Sequence, residues 1–125
     1  MNSYLNGDAW NSVPAEYRLN ISKFNKETQV KNPADVFWWA EENPFSIPGL
    51  NVAGLNDNNT RCQPDGSADS LATFHKAPQG DLTQGFANVA FVDGHVDLAS
   101  AYPAEEAPHN SFRLSWPGGA PIPVY

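Results

Sequence analysis

The sequence predicts a mainly β fold, with a small antiparallel sheet, one β-hairpin turning at Asp93-Gly94 and long covering loops. Three observations lead there. Nine glycines and 11 prolines interrupt the 125 residues, and only 17% of residues are charged, a balance that disfavours a helical bundle. Asp93-Gly94 lies between two alternating apolar runs, one of the strongest short-range hairpin signals. Asp35 to Glu41 is β-branched and aromatic through its middle, as strands are.

Taken in chain order, the first 12 residues mix Asn, Gly, Asp and Ser with Tyr4, Leu5 and Trp10, which suggests an ordered loop or short edge strand. Glu16 to Ile21 alternates and reads as a strand. Pro33 biases Asn32 away from helix. The following stretch, Asp35 to Glu41, reads as a central strand buried on both faces. Residues 43 to 69 are dominated by Pro, Gly and Asn, a long loop of the kind that often carries function. Leu71 to His75 is a further strand, and Lys76 to Gly85 an inserted loop. In the hairpin, a two-residue type I′ turn would pair Val92 with His95, Phe91 with Val96, Ala90 with Asp97 and Val89 with Leu98. That register puts Val89, Phe91, Val96 and Leu98 on one apolar face. Residues 101–125 carry five prolines and read as an extended tail, anchored by Phe112, Leu114, Trp116 and Tyr125. One or two short helical turns at most are expected.

Composition bounds the function. A chain of this length makes one domain, 1–125, and its 4 Trp, 4 Tyr and 7 Phe supply most of the core area. The net charge of −7 and the scattering of the seven basic residues exclude a nucleic-acid surface, which needs clustered Lys and Arg. Cys62 is alone, so no intrachain disulfide forms. No run reaches the roughly 18 apolar residues of a membrane span, and Met1 to Gly7 has no secretory-leader character, so neither membrane contact nor targeting is expected of this stretch.

Several groups of residues carry candidate chemistry. Glu41, Glu42, His75, Asp93 and His95, with Asp97, fall at strand ends or in turns where different strands converge. Carboxylates with imidazoles suit a divalent cation, Zn, Mn or Ni on the mixed set and Ca on an all-oxygen subset. Against this, Asp93 and Gly94 serve the turn, Glu41 is a polar strand end, and His95 fits an ordinary surface position. Asn56 to Thr60 is oxygen-rich but lacks the alternating carboxylates of a calcium loop, and reads as a solvated turn. Catalysis is not expected. Ser46, Ser70 or Ser100 with His75, His95 or His109 make only the chance combinations any such chain offers. No nucleophile elbow, metalloprotease helix or phosphate-cradling loop is present. Arg61 beside Cys62 would lower the thiol pKa, with nothing else to mark a nucleophile. Adjacent Glu41-Glu42 and Glu105-Glu106 would point to opposite faces of a strand and make no acid–base couple. Trp38 and Trp39 read as core; several of Trp10, Trp38, Trp39 and Trp116 lining one groove would instead mark a sugar-binding surface.

Three stretches resemble a known family. Met1 to Leu5, then Val30 to Phe37 with Glu41-Glu42-Asn43-Pro44-Phe45-Ser46-Ile47, then Phe74-His75 with Asn88 to Val96, are similar, in order, to segments of the C-terminal globular domain of bacterial prepilin-type proteins. That domain is marked by a His followed nine residues later by Asp-Gly and is related to the pseudopilins of type II secretion. Here 17 residues separate His75 from Asp93 and Thr83 holds the nominal His position, so an eight-residue insertion around Lys76 to Thr83 would make His75 the equivalent. The resemblance implies an α+β head domain with a non-catalytic structural or interaction role, in the cell envelope, periplasmic or extracellular. Its partners would be other pilin-like subunits or secretion-system proteins. The family's long N-terminal helix is not among these residues, which leaves open a truncated subunit or a free-standing soluble module for a divalent metal or carbohydrate.

Overall fold

Three short strands make the sheet: β1 (Phe37–Ala40), β2 (Ala87–Phe91) and β3 (Val96–Ala99), all antiparallel in the order β1-β2-β3. The mainly β class is therefore the observed one. Two short helices, α1 (Ser3–Asn6) and α2 (Asn110–Ser115), and two single 3-10 turns complete the regular structure among the described residues. The structure is a computed structural model that describes residues 1–6, 27–43, 60, 62, 69–82, 84–101 and 110–118. The expected strand at Glu16 to Ile21, most of the 43–69 loop, and Trp10, Ser46, His109 and Tyr125 lie outside them.

The hairpin forms where its sequence places it, with a different turn. The Phe91 N–H donates to His95 O at 2.9 Å and the Gly94 N–H to Phe91 O at 3.0 Å, so Val92, Asp93 and Gly94 make a three-residue loop. Gly94 has φ +92°, while neither Val92 nor Asp93 has a positive φ. This is a type I turn closed by a glycine bulge, in place of the expected type I′ turn. Asp93 contributes its side chain, accepting the His95 N–H at 3.1 Å. The bulge shifts the register by one residue, to Ala90 with Val96, Val89 with Asp97, Asn88 with Leu98 and Ala87 with Ala99. A one-residue slip moves a whole strand's side chains to the other face. Val96 and Leu98 accordingly leave the face of Val89 and Phe91, and Val96 is 68% exposed.

β1 also differs from expectation. It is an edge strand, and Trp38 and Trp39 are 43% and 50% exposed instead of buried on both faces. Phe37 pairs with Phe91 but Trp39 pairs with Ala90, so Trp38 is the additional residue of a bulge. Outside β1, the open backbone is covered. The Asn2 N–H donates to Trp38 O at 3.1 Å and the Ala72 N–H to Glu41 O at 2.8 Å, while Glu42 bridges Leu71. Leu71 to His75 is thus a segment buried over Leu71, Ala72 and Thr73 and bridged at its two ends, not a strand of the sheet. Its far end pairs His75 with Phe86 through bonds of 3.0 and 2.8 Å, closing the 76–85 loop at its base. Gly85 is required there, because a Cβ would collide with the backbone oxygens of Thr73 and His75.

The core lies between the inner sheet face and the two helices. Phe37, Val89 and Phe91 face Tyr4, Leu71, Phe112 and Trp116, all buried. Within the tail expected to be extended, Asn110–Ser115 forms α2, and the anchors Phe112 and Trp116 meet Tyr4 edge-on at ring-centroid distances of 5.7 and 5.6 Å. Such contacts stabilise by about 0.5–1.5 kcal/mol beyond the area they bury. The Tyr4 hydroxyl donates to Cys62 O at 2.7 Å, so the ring is buried without an orphaned polar atom. Asn2 ties the parts together. Fully buried, it gives one Nδ2 hydrogen bond to Phe37 O at 2.9 Å and another to Ser115 O at 2.8 Å, and its Oδ1 accepts the Tyr4 N–H at 3.0 Å.

Two substitutions test this architecture. Asn2→Ala leaves two buried carbonyls and a buried N–H unpaired, and is expected to lower unfolding free energy by about 2–5 kcal/mol in urea titration. A loss under 1 kcal/mol would remove Asn2 as the tie. Gly94→Val places a β-branched residue at φ +92° in otherwise open space, so its cost of about 1–2 kcal/mol comes from the backbone alone. Calorimetry should show Tm lower by about 4–8 °C, with Gly94→Asn nearer the parent; equal losses for both variants would contradict the turn.

Candidate functional site

The strand ends bring the candidate residues together as two pairs, not as one cluster. At the β1 end, Glu41 turns its carboxylate back across the sheet. Oε2 accepts the Asn88 N–H at 2.8 Å and meets His75 Nε2 at 2.8 Å, and Oε1 accepts from Asn88 Nδ2 at 3.3 Å. The Glu41 N–H meanwhile reaches Asn88 O at 3.3 Å. The side chain thus continues the β1–β2 ladder after the backbone has diverged, and hooks the 71–75 segment to the sheet through His75. Asn88 Nδ2 also lies 3.0 Å from His75 Nε2. That nitrogen donates to Glu41 or accepts from Asn88 but not both, and the carboxylate charge favours donation to Glu41.

At the turn, Asp93 Oδ1 accepts from His95 Nδ1 at 2.6 Å as well as from the His95 N–H, while the imidazole stacks on Phe91 at 4.2 Å and 5°. The two pairs are separated by the length of β2: Asn88 to Phe91 is three residues, about 10 Å at strand rise. Glu42 sits on the covered side of β1, bridging Leu71. Among the described residues no group of three or more His, Cys, Asp or Glu is arranged to hold a metal ion. Each pair offers two protein donors, where protein zinc sites use three or four.

The electrostatics of each group follow from its contacts. Partial burial pushes the Glu41 carboxyl up, but the hydrogen bonds from the Asn88 N–H, His75 and the Asn88 amide outweigh it and hold the group below its ordinary value. The Asp93 carboxyl is held down first by the His95 N–H and then by the His95 ring. Cys62 goes the other way. Burial, followed by the charges of Asp69 and Glu42, pushes its thiol well up, contrary to the lowering expected from Arg61. A buried thiol so disposed is an inert core residue. Ser70 is buried too, and its hydroxyl makes no hydrogen bond among the described residues.

The outer sheet face is the other prominent feature. Trp39, Ala90 and Val96 stand side by side across the three strands, since Trp39 pairs with Ala90 and Ala90 with Val96. With Ala40, Glu41, Asn88 and Val89 they line an open groove of about 260 Å³, almost wholly apolar. No family model, curated protein or solved structure matches this chain. Of the site's residues, Glu41 and His75 were legible in sequence. Asn88 was missed, although a lone Asn inside an apolar strand, where Asn is disfavoured, was a usable signal. Asp97, grouped by sequence with the candidate metal residues, lies instead on the edge strand beside Leu98, and Val96, expected on the apolar inner face, is on the outer one.

The Glu41 hydrogen bonds predict a pH dependence. A carboxyl lowered in the folded state contributes stability that is present above its unfolded pKa and lost as pH falls through the folded value. Stability should decline below about pH 5, and Glu41→Gln should flatten part of that decline while costing some stability at pH 7. Thermal melts from pH 3 to 7 measure it. Parallel curves for parent and variant would show that the carboxylate makes no net contribution.

Proposed function

We propose that this chain is a non-catalytic interaction domain that engages a protein partner through the outer face of its sheet. The observation that carries this reading is the row Trp39–Ala90–Val96 with neighbouring Trp38: Trp38, Trp39 and Val96 are 43%, 50% and 68% exposed on the sheet, where solvent exposure has a free-energy cost of about 25 cal/mol per Å² of apolar surface. Among the described residues the core is built without them, so their placement outside suits a contact surface. Tryptophan is also the residue type most enriched at the energetic centres of protein interfaces. In this reading the resemblance to prepilin-type heads gives the partner its context: a pilin-like neighbour or a secretion-system protein in the cell envelope.

A photo-cross-linking phenylalanine at position 39 tests it in cells that make the protein naturally. One discrete adduct, identified by mass spectrometry, is expected; it should vanish with Val96→Asp and be absent when the cross-linker replaces exposed Lys31 beside the end of α2. Equal adducts from both positions, or none from position 39, would overturn the reading. Saturable quenching of tryptophan fluorescence by soluble glycans, without a protein adduct, would replace the protein partner with carbohydrate.

A further inference from the structure

The two edges of the sheet are treated differently. β1 is covered by Asn2 and the 71–72 segment, whereas β3 has no neighbour on its far side among the described residues. The Phe91–His95 hydrogen bond sets the alternation along the hairpin: His95, Asp97 and Ala99 turn their backbone groups to β2, and Val96 and Leu98 turn theirs outward. A bare strand edge is a template for another strand, and proteins guard such edges with charge. Here the guard is specific. The outward Leu98 N–H is occupied by the carboxylate of its own neighbour, donating to Asp97 Oδ1 at 2.7 Å.

We propose that β3 is a docking edge for an extended, basic strand of a partner protein, with Asp97 as the gate. The inference rests on the interaction reading above and names the partner's chemistry. The side-chain pattern of an added strand follows from the register. Residues beside Val96 and Leu98 continue the apolar row that crosses the sheet from Trp39 and stops, 68% exposed, at Val96. The residue between them lies beside Asp97, and a like charge there is repelled while Lys or Arg is attracted. Asp93, at the adjacent turn, adds a second exposed carboxylate, and the whole chain carries −7. A cationic side chain drawing the Asp97 carboxylate to itself frees the Leu98 N–H for the incoming backbone. A neutral strand has no means of doing so, and a second copy of β3 brings Asp97 and its acidic surroundings against themselves. The edge therefore selects an alternating apolar–basic strand over self-pairing.

The test titrates the full chain with acetylated, amidated Val-Lys-Val-Lys-Val and with the matching Glu peptide, followed by amide NMR. The Lys peptide should shift the Val96 and Leu98 amides saturably, slow their hydrogen exchange, and bind at least about fivefold more tightly than the Glu peptide. Asp97→Lys should reverse that preference. Val96→Pro removes an outward N–H that the β2 ladder does not use, and should abolish binding with Tm near the parent. No shift at Val96 and Leu98 with millimolar Lys peptide, equal binding of both peptides, or concentration-dependent dimers of the chain alone would each overturn the proposal. If Val96→Pro fails to fold, the Asp97→Lys reversal decides. A negative result here with the position-39 adduct intact removes strand addition alone; loss of the adduct as well removes the interaction reading.

Discussion

A single buried amide, that of Asn2, holds together parts of the chain that are more than a hundred residues apart. Its two N–H donors meet carbonyls of β1 and of α2, and its oxygen holds the first turn of α1. The geometry satisfies every group at once, which is what a polar side chain in a core requires. Because β1 is an edge strand, its outward carbonyls need a donor, and α2 ends with carbonyls no helix can satisfy internally. Asn2 answers both needs. It thereby places Tyr4 against Phe112 and Trp116, and that aromatic contact closes the core over the inner sheet face. The position of β1, and hence of Glu41 and Trp39, follows from this tie.

Much of this was legible in the sequence, and the parts that were not have identifiable causes. Asp-Gly marked the hairpin correctly, since both a type I′ turn and a type I turn with a glycine bulge want a residue tolerant of positive φ at Gly94. The dipeptide does not say which, and the difference of one residue decides whether Val96 and Leu98 face the core or solvent. Phe37-Trp38-Trp39 read as buried because hydrophobicity alone carries no information about a bulge. Pairing Phe37 with Phe91 and then Trp39 with Ala90 turns the tryptophans outward. Residues 110–115 were read as extended from the prolines around them, yet Phe112 and Trp116, four residues apart, are at helical spacing and are held by tertiary packing.

The candidate site shows the same division between composition and register. Glu41, His75, Asp93 and His95 were recognisable as chemistry-bearing residues near strand ends, and each does bond to a neighbour. What sequence did not supply is distance. β2 separates the pairs, so their roles are local: one replaces a missing ladder bond and fastens a segment to the sheet, the other shapes the turn. Asn88 belongs to the first group through both its backbone and its side chain, a connection visible only once the strands are paired.

The contrast between the two sheet edges then becomes informative. Covering an edge requires chain that crosses it, and this protein commits its N-terminal residues and the 71–72 segment to β1. For β3, the Asp97 carboxylate takes the Leu98 donor, a reversible substitute for a neighbouring strand. A backbone bond would occupy the edge in every state. A side-chain bond leaves when a stronger electrostatic partner arrives, because rotating Asp97 costs only its own charge-assisted hydrogen bond, a net of about 1.5–3 kcal/mol. The same carboxylate repels acidic surfaces, including those of other copies of this −7 chain. Edge protection and partner selectivity are thus properties of one residue, and the one-residue register shift imposed by Gly94 puts that residue between two outward-facing apolar positions.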